Sequence, residues 1–321
     1  LDEINNFLNL YKSKKLINKT WGGTWEWIDK KKKNYFNPDI KYGHNDHLNH
    51  FSNFFRNQLS FGLTSSHWNN KRKKVWKQKL FSDILKNIIS WEEFTKKTNK
   101  DYSLLNTNLN VGNPYGLEFK KNLILFDTPR HDYYANKIIN LINKNKKIPI
   151  VIEIGGGYGG LVSQLLKRNI KFKYINIDLL KTLPVAYYFL KRNFDTKIKI
   201  SNFVDENILN KNNFIFVPYC GQNFWRTKLS ADVLFNSNSF SEMGKKTLLQ
   251  YFKEINNKIK PKYLMHQNTN LISFEKLKKY REIPSFKFPI DHKNYELINF
   301  NISLFQGGSG RYREHLYKRK N

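Results

Sequence analysis

The chain has 321 residues, with 56 lysines and arginines against 26 aspartates and glutamates, a formal net charge of +30. That length can bury a large core without disulfide or metal staples, and the single cysteine, Cys220, excludes an intrachain disulfide framework. No signal-peptide pattern and no apolar run long enough to span a bilayer is present, so a cytoplasmic setting is expected.

The positive charge fits a polyanionic partner such as nucleic acid, acidic glycan or an anionic membrane surface. Lysine and asparagine are spread along the whole chain, as an A+T-rich coding sequence would also produce, so charge leaves the partner open.

Residues 1–147 form a front region dense in aromatic side chains: Trp21, Trp25, Trp27, Phe51, Phe54, Phe55, Trp68, Trp76 and Trp91. It reads as mainly helical. Leu48, Phe51, Phe54, Phe55 and Leu59 recur at helical spacing across residues 46–63, and residues 75–85 give a second amphipathic stretch. Gly112, Pro114 and Gly116 interrupt the pattern before residues 123–128, and residues 133–142 predict a helix leading into the next region.

From Ile148 the texture changes. Residues 148–154 predict a buried strand, followed by a glycine cluster, a helix over 161–168 and a strand over 172–178, which is a β-α-β unit. The alternation continues with a helix over 184–192, strands over 198–203, 214–219 and 231–236, a helix over 242–259 and a strand over 263–267. Residues 148–321 are thus expected to form an α/β domain with a Rossmann-like, doubly wound, mostly parallel sheet. Its ligand site should lie at the carboxyl ends of the strands near the topological switch point.

The strongest motif sits at such an end: Glu153-Ile-Gly155-Gly156-Gly157-Tyr158-Gly159-Gly160, between a strand and a helix. Glycines there allow a tight turn and close approach of a ligand to backbone N–H groups. Asp178 ends the next strand, 23 residues after Gly155, where a carboxylate can accept hydrogen bonds from both ribose hydroxyls. The pair points to an adenosine-containing cofactor. Gly155, Gly157 and Gly160 also satisfy G-x-G-x-x-G, so a nicotinamide or flavin enzyme stays in view. Glu153 separates the two, because an anion there serves a pyrophosphate poorly. The stretch resembles the first motif of class I methyltransferases, E/D-x-G-x-G-x-G, which implies S-adenosylmethionine.

Several separated stretches carry a narrower resemblance: Asn53-Phe-Phe-Arg-Asn57, residues 151–161, Asp178 followed by Leu183-Pro184, and Asn236-Ser-Asn-Ser-Phe-Ser-Glu-Met243. On these the chain resembles the sugar O-methyltransferase family of the NanM type, found among bacterial surface-glycan genes. The resemblance implies methyl transfer from S-adenosylmethionine to a sugar hydroxyl, with a sugar or glycan acceptor that is free, nucleotide-linked or polymeric.

The expected cofactor contacts are Glu153, Gly155, Gly157, Tyr158, Gly159, Asp178, Asn236 and Arg130, the last pairing with the methionine carboxylate. Methyl transfer needs the acceptor oxygen held in line and its proton removed. Glu242, just beyond a strand end, is the first candidate for that base or for anchoring sugar hydroxyls, although an acid in a helix's first turn also simply favours the dipole. His266, in Met265-His-Gln-Asn268, and His131, in Asp127-Thr-Pro-Arg-His-Asp132, titrate in the right range and are the other candidates; each could equally be structural.

Other features read more plainly. His44, His47 and His50, with Asp46 among them, have three-residue spacing but no second ligand cluster, so a solvated polar stretch is expected and no metal. Gly307-Gly-Ser-Gly-Arg311 could wrap a phosphate but reads first as a mobile surface turn. The basic runs Lys30–Lys33, Lys71–Lys74 and Arg311–Lys320 read as solvated surface, the last in reach of acidic glycan or lipid phosphate, and none has a sequence-reading nucleic-acid motif.

Two competing functions remain. Charge and interleaved aromatics would suit a nucleic-acid methyltransferase, but Asn236-Ser-Asn-Ser-Phe240 lacks the prolines of the Asn/Asp-Pro-Pro-aromatic block typical of base-amine methylation. A non-catalytic glycan- or assembly-binding protein with a Rossmann core is the other.

Overall fold

The computed structural model describes residues 49–56, 73–95, 101–108, 110–142, 148–180, 182–219, 223–271, 282–303, 305 and 311–320. Trp21, Trp25, Trp27, Trp68, His44, His47, Cys220, Lys30–Lys33 and the glycines of 307–310, all singled out above, lie outside these residues.

The strands are β1 (Leu117–Phe119), β2 (Asn122–Ile124), β3 (Ile150–Ile154), β4 (Lys173–Asp178), β5 (Ile198–Ile200), β6 (Phe214–Pro218), β7 (Val233–Ser237), β8 (Tyr263–Thr269), β9 (Tyr295–Ile302) and β10 (Tyr312–Arg319). The α-helices are α1 (Lys73–Phe94), α2 (Thr128–Ile142), α3 (Gly160–Leu166), α4 (Leu183–Phe194), α5 (Glu206–Lys211), α6 (Ser239–Glu242) and α7 (Lys245–Glu254). Strands β1 and β2 form a hairpin of their own, and the other eight make one sheet in the order β5-β6-β4-β3-β7-β8-β10-β9. The pairs from β5 through β8 are parallel, whereas β10 runs antiparallel to both β8 and β9.

The apolar run of β3, Ile-Val-Ile-Glu-Ile, is buried on both sides because helices cover both faces of a parallel sheet. Side chains alternate across the sheet. Val151, Tyr174, Phe216, Phe235 and Met265 share one core with α1 to α4, and Ile152, Ile175, Ile215, Leu234 and Leu264 share the other with α7. The protein therefore has the Rossmann-like, mostly parallel sheet expected from the alternating elements, with an antiparallel β10 added between β8 and β9. Among the described residues no helix is long and apolar enough to cross a membrane.

The front region packs into the first of these cores. Phe54 and Phe55 set their rings against Tyr158 and Phe189, with centroids 5.2 to 6.5 Å apart. Asp132, fully buried on α2, accepts from Trp91 Nε1 at 2.7 Å and from Arg168, tying α1, α2 and the end of α3 together. Glu314 on β10 accepts from Tyr133 Oη (3.0 Å), Tyr134 Oη (2.9 Å) and Lys137 Nζ (2.6 Å), which fixes α2 against the sheet. A buried carboxylate is stable there only because three donors replace its water.

Four local departures from the sequence expectations have physical causes. The helix expected from residue 133 starts at Thr128, with Pro129 in its first turn where a missing N–H costs nothing, so Arg130 and His131 ride on α2 itself. The helix expected over 242–259 is interrupted at Met243 and Gly244, both extended, and ends in a π turn over Ile255–Ile259. The β1–β2 turn is made by Lys120 and Lys121, both at positive φ, where lysines hide the usual Asn-Gly signal. Last, the basic run Arg311–Lys320 is not solvated surface: it forms β10, with Glu314, His315 and Tyr317 buried.

Candidate active site

The turn after β3 must be glycine for two separate reasons. Gly155 has φ +75°, and a Cβ there would lie 2.3 Å from Ser239 Oγ; a Cβ on Gly160 would lie 2.3 Å from His131 Nδ1. No larger residue fits without moving its neighbour. At the end of β4, Asp178 Oδ2 accepts from the Gly157 N–H at 2.9 Å and Oδ1 accepts from Leu179 N–H at 2.6 Å. The two bonds fix the carboxylate beside the turn, and a carboxylate so placed is an acceptor suited to ribose hydroxyls.

Strand alternation then sorts the carboxyl ends of the other strands. The face that carries Asp178 also carries Glu153 on β3, Asn176 on β4, Ser237 on β7 and Gln267 on β8, and α2 lies over it with Arg130 and His131. Arg130 Nη1 donates to Ser237 Oγ and, at 3.5 Å, to Gln267 Oε1, while Ser237 Oγ donates to Gln267 Oε1 at 2.7 Å. Arg130 Nη2 is paired with Asp127 Oδ1 at 2.9 Å.

Around this cluster several buried polar atoms have no hydrogen-bond partner in the structure: Arg130 Nε, Gln267 Nε2, Asn176 Nδ2 and Asn238 Oδ1. Each such group left unmet costs roughly 1–3 kcal/mol. Three donors and an acceptor gathered at the strand ends, beside a glycine turn and a fixed carboxylate, fit a polar ligand of the adenosine type.

The predicted site residues divide. Gly155, Gly157, Gly159 and Asp178 stand together at the turn. Tyr158 packs its ring among Phe54, Phe55 and Phe189, with its hydroxyl 3.4 Å from His131 Nδ1, so it walls the turn. Glu153 is buried and accepts from Tyr174 Oη; burial pushes its carboxyl up to about 7, with the Tyr174 bond opposing. Near neutral pH it is not a fixed anion, which removes the charge argument that set it against a pyrophosphate. The antiparallel β10 between β8 and β9 departs from the all-parallel 3-2-1-4-5-6 dinucleotide sheet.

Asn236 is fully buried and its amide is spent inside the protein. Nδ2 donates to Ile154 O (2.8 Å) and to Ser239 Oγ, while Oδ1 accepts from Phe240 N–H (3.2 Å) and Asn268 Nδ2 (2.9 Å). It braces the β7 end and seats Ser239 against Gly155 rather than facing a ligand.

His266 is on the opposite face of the sheet from Arg130 and Gln267. Its ring is fully buried, stacked on His315 at 4.4 Å and close to Phe288 and Tyr317, and burial holds its pKa well below the usual histidine range. It is a core group, and its expected role as proton acceptor is withdrawn. His131 does border the turn, but burial and then the Arg130 charge lower its imidazole to about 3, so it is neutral and too weak a base for efficient proton removal near pH 7. Glu242, half-buried at the end of α6, stands in the electrostatic neighbourhood of Tyr312, whose hydroxyl is pushed up by burial and then by Glu242 and Glu282.

Sequence reasoning missed Ser237, Asn176, Tyr312 and above all Gln267. Only strand parity distinguishes Gln267 from its neighbour His266, and parity depends on register, which no local residue states.

No protein-family model matches the sequence, and no curated protein matches it. Solved structures with a similar course include the CcbJ methyltransferase from Streptomyces caelestis, 12% identical over 60% of this chain and 96% of that one with a TM-score of 0.43. A SAM-dependent methyltransferase from Aquifex aeolicus is 16% identical over 57% of this chain and 88% of that one, TM-score 0.38. The small RNA methyltransferase HEN1 is 15% identical over 65% of this chain, TM-score 0.41, and this chain spans 27% of its length. None exceeds 16% identity, so the site's own geometry carries the functional reading.

Proposed function

We propose that the protein is an S-adenosylmethionine-dependent O-methyltransferase acting on a sugar hydroxyl in the synthesis of a bacterial surface polysaccharide, in the cytoplasm. The observation that carries methyl transfer is the Gly155–Gly160 turn with Asp178 fixed beside it, set in a sheet whose last strand is inserted antiparallel. The sugar acceptor rests on the resemblance carried by Asn236–Met243.

Bound S-adenosylmethionine supplies a methyl group already activated by its sulfonium. The chain has to bind, orient and exclude water. Asp178 receives the ribose hydroxyls, and the backbone of 155–160 lets the ligand approach closely. Gln267 Nε2 and Arg130 Nε offer donors to ligand oxygens on the α2 face. Glu242 takes the acceptor proton or holds a neighbouring hydroxyl, since His131 is too weakly basic and His266 too deeply buried to serve.

Calorimetric titration with S-adenosylhomocysteine, NADH and NADPH tests this. Wild type should bind S-adenosylhomocysteine, and Asp178→Ala should weaken that binding by tenfold or more, the loss expected for hydrogen bonds to a charged group at about 1.5–3 kcal/mol. Nicotinamide binding instead would overturn the reading. A screen of glycan and nucleic-acid acceptors with labelled methyl donor then separates sugar methylation from the nucleic-acid reading that a +30 chain also invites, and from glycan binding without turnover.

A further inference from the structure

At the other end of the catalytic sheet lies a groove of about 930 Å³. Its walls come from the front region, through the 3-10 turn Tyr102–Leu105, the loop after it and the β1–β2 hairpin, and from the C-terminal ends of α3 and α4. Helix α4 starts just past Asp178 and runs 12 residues to Phe194, about 18 Å at 1.5 Å per residue. The groove is therefore separate from the glycine turn.

Its lining is mostly polar and uncharged. Six of its twelve lining residues are amides or hydroxyls, namely Ser103, Asn106, Thr107, Asn108, Asn110 and Asn193, and Phe194 adds an aromatic ring. Its charged lining residues are two lysines and one glutamate, Lys121 and Lys167 with Glu118, the same balance as in the chain as a whole. One of the two is committed to the wall: Lys167 Nζ donates to Leu104 O at 2.8 Å and Asn106 O at 2.7 Å, which fixes the loop to α3. The amides are partly committed in the same way. Asn106 Oδ1 accepts from Leu123 N–H, Asn108 Oδ1 from Asn110 N–H, and Asn193 Nδ2 donates to Phe189 O. Those bonds hold the side chains in place and leave the opposite end of each amide, donors on Asn106 and Asn108 and an acceptor on Asn193, for a ligand.

A groove with fixed donors, fixed acceptors and one apolar ring matches the alternating hydroxyl and C–H surfaces of a sugar chain, and with Lys167 committed to the wall Lys121 is its one remaining cation to meet a phosphate. We propose that this groove binds a segment of a neutral glycan chain, so that the acceptor is a polymer gripped at a second site away from the transfer site. The glycan's identity as acceptor rests on the methyltransferase reading. Holding the polymer at a distance raises the local concentration of its methylatable units without any further contact at the transfer site.

The test uses the full chain with neutral hexasaccharides of α-glucan, β-glucan and chitin type, and with a heparin hexasaccharide and oligo-dT as charged comparators, followed by calorimetry and saturation-transfer NMR. One neutral hexasaccharide should bind with the same affinity whether or not S-adenosylhomocysteine is present. Asn193→Ala should weaken it at least tenfold, and Thr107→Trp, which fills the groove, should abolish it, with S-adenosylhomocysteine affinity and melting temperature unchanged in both. Binding of none of the neutral chains, preference for the charged ones, or binding that survives Thr107→Trp overturns the proposal. Failure of S-adenosylhomocysteine to bind wild type would instead sink the methyltransferase reading, a result read on a separate arm.

Discussion

The β3–β4 end and the β7–β8 end of the sheet both contribute to the candidate site, but they are built differently. At β3–β4 the working parts are contiguous: six residues of turn and one strand-end carboxylate, joined by the Gly157 to Asp178 hydrogen bond. At β7–β8 they come from far apart, with Arg130 on α2 reaching Ser237 and Gln267 more than a hundred residues away. There, adjacent residues have opposite fates, His266 in an aromatic core and Gln267 in the polar cluster. A motif locates backbone chemistry; side-chain chemistry on a strand is decided by which face the register turns toward the ligand.

Substituting Gly155→Ala tests the contiguous end and should have the largest effect. Positive-φ strain and overpacking against Ser239 together should cost about 3–5 kcal/mol of stability in urea denaturation, with S-adenosylhomocysteine binding lost. Adding Ser239→Gly should restore the packing part and leave the strain; no recovery in the double variant would mean that Ser239 is not the obstacle.

The next effect is a pH dependence at Glu153. Its folded pKa, raised to about 7 by burial, lies above the ordinary carboxylate value of about 4.3. The folded state therefore holds its proton more tightly, so this contribution to stability is complete below about pH 4.3 and is lost as pH rises through 7. Between pH 5 and pH 8 the wild type should lose about 2–3 kcal/mol that Glu153→Gln does not lose. Parallel stability curves for the two proteins would show that Glu153 is already ionised in its buried site.

The smallest effects sharpen the contrast between faces. His266→Phe removes two buried ring nitrogens that have no partner, so stability should hold or rise by up to about 1 kcal/mol, with S-adenosylhomocysteine affinity unchanged. Gln267→Leu should leave the melting temperature nearly unaltered while weakening that affinity severalfold, because Arg130 loses its partner on β8. A larger affinity loss in His266→Phe than in Gln267→Leu would reverse the assignment of the two faces.

The sequence by itself determined the parallel β-α core and its ligand end. Buried β-branched strands, the obligatory glycines of 155–160 and a strand-end Asp178 are each set by local sterics and by a few neighbouring residues. Only the tertiary structure decided the rest. Strands β9 and β10 escaped notice because β10 reads as a basic run, and its buried Glu314 is tolerable only after Tyr133, Tyr134 and Lys137 arrive from α2. Asn236 became a brace and His266 a core ring because their partners, Asn268 and His315, lie on other strands. The pKa values of Glu153 and His131 were likewise undecided until burial removed their water, since desolvation is a property of the packed surroundings and not of the residue or its neighbours in sequence.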